Sequence, residues 1–165
     1  PPSGGVSVMR ESVATHPRAN QFGQLLLDHL GWHGVAMVEF KIDERDQIPK
    51  LMEINGRFWG SLQLAIDSGV DFPVLLAEIA LNKDPDTTAY YRVGVRSRWL
   101  LGELDLLLMF LFKSDDELKL PQGHPSRLRS VLEILNPFYR KQYLEVFRLR
   151  DLRPWLHEIG EWPRG

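Results

Sequence analysis

Cysteine is absent from the 165 residues, which excludes a disulfide framework, a thiol nucleophile and thiolate metal sites. A long apolar run is absent too. The strongly apolar segment Arg98–Phe112 contains seven consecutive apolar residues, Leu106–Phe112, far short of the roughly 20 that span a bilayer. Glu103 and Asp105 interrupt the wider stretch, so no membrane span is expected and a buried or partner-covered helix is the reading. Charge of one sign is also lacking. The formal net charge is −2, with 8 Lys/Arg against 12 Asp/Glu in residues 1–95 and 12 against 10 in residues 96–165. That balance gives no global attraction to nucleic acid or anionic lipid. The first residues, Pro-Pro-Ser-Gly-Gly, are not a basic region followed by an apolar run, so no secretory signal is read there. With no cysteine, a cytoplasmic location is expected. A Walker A loop, a Gly-x-Ser-x-Gly elbow and a Gly-x-Gly-x-x-Gly turn are all missing, which weakens P-loop, hydrolase and Rossmann readings.

What is present is ordinary globular usage, 44% apolar and 25% charged. A chain of this length buries roughly 70% of its unfolded surface and can build a core without staples. Gly5–Glu11 reads as a short strand. Phe22, Leu25, Leu26 and Leu30 fall at helical spacing within Arg18–Leu30, with Gly31 placed to end the helix. Gly34–Ile42 and Ile48–Asn55 alternate as two strands joined by the polar stretch Asp43–Gln47, a hairpin. Ser61–Ser68 and Phe72–Leu81 read as helices broken at Gly69, the second with Asp71 as N-cap and Pro73 in its first turn. Asn82–Thr88 is a polar link, which divides the chain into residues 1–83 and 84–165. Beyond it Tyr90–Val95 reads as a strand, and Arg98–Phe112, Pro125–Leu135 and Asp151–Ile159 as helices.

The chemistry concentrates between Glu39 and Ser61. Glu53, Asn55 and Arg57 form Glu-x-Asn-x-Arg, and Glu39 lies fourteen residues before Glu53 on the neighbouring strand. If Glu39 faces Glu53, the hairpin turn centres on Asp46, inside the polar connection, so this register is natural. Two carboxylates then point the same way. Opposed like charges cost about 0.2–1 kcal/mol, more when desolvated, and a divalent cation would offset this. Two carboxylates and an amide carbonyl are hard-oxygen ligands, suited to Mg²⁺ or Mn²⁺ that takes its remaining ligands from water and substrate phosphates. Arg57 could grip a phosphoryl oxygen through its forked guanidinium. Ser61, at the start of the next helix, adds backbone N–H groups able to meet an anion. The same pattern also fits a solvent-facing strand whose carboxylates are neutralised by Arg57 or Lys41, a surface ion pair worth little.

Gly34-Val-Ala-Met-Val-Glu-Phe followed by Leu51-Met-Glu-Ile-Asn-Gly-Arg-Phe-Trp-Gly-Ser61 resembles the C-terminal metal-binding core of ATP-grasp enzymes, in particular the carbamoyl-phosphate-synthase-like variety. Gly4-Gly5-Val-Ser-Val and the helix after it resemble the stretch before that core, so the likeness covers residues 1–83. It implies an α+β fold, an antiparallel sheet backed by helices, followed by a mainly helical tail of unassigned role. It implies that Glu39, Glu53 and Asn55 bind Mg²⁺ (or Mn²⁺) bridging ATP phosphates, and that Arg57 stabilises the transferring phosphoryl group. The implied reaction activates a small-molecule carboxylate as an acyl phosphate, which an amine or other nucleophile attacks. The family's adenine pocket, phosphate-gripping Lys or Arg residues and lid lie before Gly4-Gly5. The chain therefore reads as part of a longer ligase that needs its N-terminal portion and is inactive alone. A Pro commonly follows the family's Asn, and here Gly56 stands there.

Two other functions remain open. One is a bicarbonate-activating carboxylase, which would need a biotin carrier this chain does not show. The other is a non-catalytic interaction domain in which Arg98–Phe112 binds a partner. A homo-oligomer is among the assemblies the sequence allows. His29 and His33 are four apart, but a helix ending at Gly31 separates them, which favours a structural role over a metal pair. Arg127, Arg129, Arg140, Lys141, Arg148, Arg150 and Arg153 are interleaved with Glu133, Glu145 and Asp151, which reads as a solvated face and not a nucleic-acid site. Trp99, Trp155 and Trp162 read as core or interface anchors.

Overall fold

A computed structural model describes residues 7–86, 90–118, 126–134, 136 and 141–162. The fold is α+β, and the chain forms two compact units. One runs from Ser12 to Val93; the other joins the segment ending at Glu11 to the chain from Gly94 onward.

The Ser12–Val93 unit begins with α1 (Pro17–His29). Pro17 occupies the first turn, and His16 caps it by accepting from the Ala19 N–H at 3.4 Å. At the other end Gly31 takes φ +58°. The Gly31 N–H donates to the Asp28 carbonyl and the Trp32 N–H to the Leu27 carbonyl, closing a Schellman motif. That stop separates His29 from His33. β2 (Met37–Ile42) and β3 (Pro49–Asn55) then form an antiparallel hairpin. Its turn is closed by two aspartates acting on their own backbone. Asp43 accepts from the Arg45 N–H at 3.0 Å, and Asp46 accepts from the Ile48 N–H at 2.8 Å. The helices α2 (Leu62–Ser68) and α3 (Phe72–Ala80) follow, separated by Gly69 at φ +111°. Asp71 caps α3 by accepting from the Val74 N–H at 3.1 Å. Asn82, at φ +55°, ends it while the Lys83 N–H reaches back to the Glu78 carbonyl.

The second unit is built on a three-stranded sheet, β1 (Met9–Glu11), β4 (Arg96–Arg98) and β5 (Gln142–Leu144), with β4 central. β1 runs antiparallel to β4 and β5 runs parallel to it. The strand expected at Tyr90–Val95 instead lies at Arg96–Arg98. Gly94, at φ +77°, turns the chain just before it, and pairing to β1 and β5 is what extends it. The helix expected from Arg98 starts two residues later, as α4 (Leu100–Phe112), because Arg98 is still a strand residue. Ser114 and Glu117 form a capping box around α5 (Asp115–Leu118): the Ser114 N–H donates to the Glu117 carboxylate at 2.8 Å, and the Glu117 N–H donates to Ser114 Oγ at 3.3 Å. α6 spans Arg127–Ile134 and α7 spans Arg153–Glu161; Pro125 and Leu135 lie outside the described residues. The interior of this unit holds Val95 and Leu118 together with an ion pair. Arg98 donates to both carboxylate oxygens of Glu103, at 2.6 and 2.5 Å, and both residues are buried. Arg98 also donates to the Ile134 carbonyl, so one side chain ties β4, α4 and α6 together.

Candidate metal and phosphate site

The β2–β3 register sets Met37 against Asn55, Val38 against Ile54, and Glu39 against Glu53. Residues directly opposed in an antiparallel pair project from the same face, and Asn55, two residues beyond Glu53, shares it. Below that point the register slips by one. Phe40 faces Leu51, Lys41 faces Lys50 and Ile42 faces Pro49, which leaves Met52 as the extra residue of a bulge. The bulge sits directly beside the Glu39–Glu53 pair.

Glu39 and Glu53 are exposed. Among the described residues, neither carboxylate forms an ion pair or a hydrogen bond. Lys41 and Arg57, the two candidates for neutralising them, form no ion pair with either. Two other hairpin cations are committed elsewhere. Arg45 forks onto Asp43 at 2.9 and 2.6 Å, and Lys50 meets Asp46 at 3.0 Å. The Arg45 guanidinium, helped by the Arg45 backbone N–H, holds the Asp43 carboxyl down at about 2. The Ile48 N–H and the Lys50 ammonium likewise lower Asp46.

Asn55 is half-buried at the end of β3. Gly56 follows it, and a Cβ at this position would run into the six-membered ring of Trp32. That indole is held by its own bond to the Val35 carbonyl at 3.2 Å. Gly56 thus stands where an indole lies against the backbone. Arg57 is exposed, and its Nη1 donates to the Phe58 carbonyl at 3.0 Å. No hydrogen bond or ion pair joins it to Glu39, Glu53 or Asn55 among the described residues.

Ser61 is the N-cap of α2, though its hydroxyl does not cap the helix. The Leu62 N–H donates to the Trp59 carbonyl and the Leu64 N–H to Ser61's own carbonyl, so two of the helix-start donors are already used. Ser61 instead borders a cavity of about 240 Å³ with Trp59, Leu64, Ser68, Phe72 and Tyr91. Trp59 and Phe72 meet edge to face, with centroids 5.2 Å apart. The Tyr91 hydroxyl accepts from the Thr15 N–H and donates to the Val13 carbonyl, both at 2.9 Å. Among the described residues, the buried Ser68 hydroxyl has no hydrogen-bond partner. No spacing rule in the sequence connects Tyr91 or Ser68 to Ser61; only the fold does.

Two facing carboxylates and an amide share one hairpin face, an exposed arginine follows them, and the chain belongs to the ATP-grasp family. Residues 4–102 match the family described as ATP-grasp in the biosynthetic pathway with Ter operon. No curated protein and no solved structure matches the chain. The matched residues cover all of the Ser12–Val93 unit and, in the other unit, β1, β4 and the first turn of α4. Among the described residues there is no group of three or more His, Asp or Glu side chains able to hold a metal. No helix among them is long and apolar enough to cross a membrane.

Proposed function

We propose that this chain carries the metal and phosphoryl corner of an ATP-grasp ligase, within residues 1–83, that activates a carboxylate as an acyl phosphate and joins it to an amine or another nucleophile. Glu39, Glu53 and Asn55 are the residues that would hold Mg²⁺ (or Mn²⁺). Their all-oxygen donor set and the absence, among the described residues, of a cationic partner on either carboxylate fit such an ion. When bound, the ion supplies positive charge against which ATP phosphates are aligned. Arg57 contributes a second positive charge from the protein. Its guanidinium offers a fork of donors that can follow charge onto the equatorial oxygens as the phosphoryl group moves. Ser61 lies four residues on, at the start of α2, where backbone N–H groups could meet a phosphoryl oxygen. Positioning and charge stabilisation, not covalent chemistry by the protein, are what such a transfer needs.

The observation that carries this reading is the facing of Glu39 and Glu53. Glu53→Ala in the complete protein is expected to abolish Mg²⁺-dependent ATP turnover while leaving the fold intact; unchanged turnover would overturn the reading. The exposed stripe Leu104, Leu108, Leu111 and Phe112 along α4 favours a second reading, an interaction domain, in which the same variant would leave function untouched and α4 substitutions would not.

A further inference from the structure

The second unit contains a groove of about 620 Å³ between α4 and α7, within the range of small-molecule sites. Its apolar walls include Trp99, Leu101, Met109 and Trp162, and its polar groups are the carboxylates of Asp105, Glu158 and Glu161. The two helices are joined by a reciprocal pair of bonds. The Trp99 indole N–H, at the start of α4, donates to the Glu158 carboxylate on α7. The Trp162 indole N–H, at the end of α7, donates to the Asp105 carboxylate on α4 at 3.0 Å. Each carboxylate therefore spends one oxygen on a neutral donor and keeps acceptor capacity on the other. Neither forms an ion pair among the described residues. Gly102 lets this arrangement form, because a Cβ there would collide with the Trp99 ring.

We propose that this groove binds a small organic ammonium: an amine or quaternary ammonium carrying an apolar body. The apolar walls take the body. The cation meets two carboxylates that form no ion pair among the described residues, and the indoles add attraction of the cation–π kind. An anionic ligand would be repelled by the same carboxylates. The proposal rests on the tail alone and is independent of the ATP-grasp chemistry.

The test compares three probes of similar size, 4-phenylbutylammonium, 4-phenylbutanol and 4-phenylbutyrate, on the full 165-residue chain by tryptophan fluorescence and by the indole N–H signals of Trp99 and Trp162. Saturable binding is expected in the order ammonium, alcohol, carboxylate, with the ammonium alone weakened by added salt. Asp105→Asn and Glu158→Gln keep an acceptor for each indole and remove its charge. Each should weaken the ammonium by about fivefold, as for a single exposed charge pair, and leave the alcohol unchanged. Equal binding of alcohol and ammonium, or no saturable binding, would overturn the proposal without reference to any variant. So would indole shifts that depend on protein concentration alone, which would mark the groove as a contact between copies of the chain.

Discussion

Glu39 on β2 and Glu53 on β3 stand directly opposite one another, and neither has an ion-pair partner among the described residues. Two like charges in that relation destabilise the hairpin unless a cation joins them. Neutralising one should therefore help the metal-free protein while removing the proposed ion site. Glu53→Gln is expected to raise metal-free stability by about 0.2–1 kcal/mol. Millimolar Mg²⁺ should raise the melting temperature of the parent chain but not of the variant, since only a site present in the folded state stabilises it. Thermal melts with and without Mg²⁺ read both effects.

Gly56 is where the indole of Trp32 reaches the backbone. Gly56→Ala must push that ring aside, and Trp32 is 43% exposed and has room to move. The expected loss is at the low end for overpacking, about 1 kcal/mol. A red shift in the Trp32 fluorescence, isolated by substituting the other tryptophans, would report the displaced ring; an unshifted spectrum would contradict the contact.

The buried Arg98–Glu103 pair gives the largest expected effect. Glu103→Ala leaves a guanidinium in the interior with only the Ile134 carbonyl, and breaking such a pair costs about 3–5 kcal/mol. Replacing both residues by apolar ones, Arg98→Met with Glu103→Leu, should recover most of that loss. Denaturant unfolding of the single and double variants measures the difference.

Asp43 supplies a pH dependence. Its folded-state value is depressed to about 2 from an ordinary 3.8, first by the Arg45 side chain and then by the Arg45 backbone N–H. The stability it contributes is present in full above the ordinary value and is lost as pH falls through about 2. Arg45→Ala should return the Asp43 titration toward the ordinary value, as followed by its carboxyl chemical shift between pH 5 and pH 1.5, a window set to bracket roughly both values.

The front of the chain was largely legible because its signals are local. Gly31, Asp71 and Pro73 mark helix ends through backbone chemistry that needs no distant partner. The facing of Glu39 and Glu53 follows from a polar turn of the right length. The bulge at Met52 does not, since three residues on either side alternate equally well with or without one extra. The tail was less legible for the opposite reason. β4 is Arg-Ser-Arg, a composition that suggests solvent, and it is buried only because Arg98 finds Glu103 five residues on and Ile134 far along the chain. β5 forms only through parallel pairing with β4, which no local pattern records. The capping box Ser114-x-x-Glu117 was readable but is easily passed over beside the apolar run of α4.

The most direct test of the proposed metal corner is paramagnetic broadening by Mn²⁺ in the ¹H–¹⁵N spectrum of the chain, which detects even a weak site. Broadening centred on Glu39, Glu53 and Asn55, and abolished by Glu53→Gln, is the expected result. Broadening centred on Asp43 and Asp46, or a pattern that Glu53→Gln leaves unchanged, would contradict the assignment.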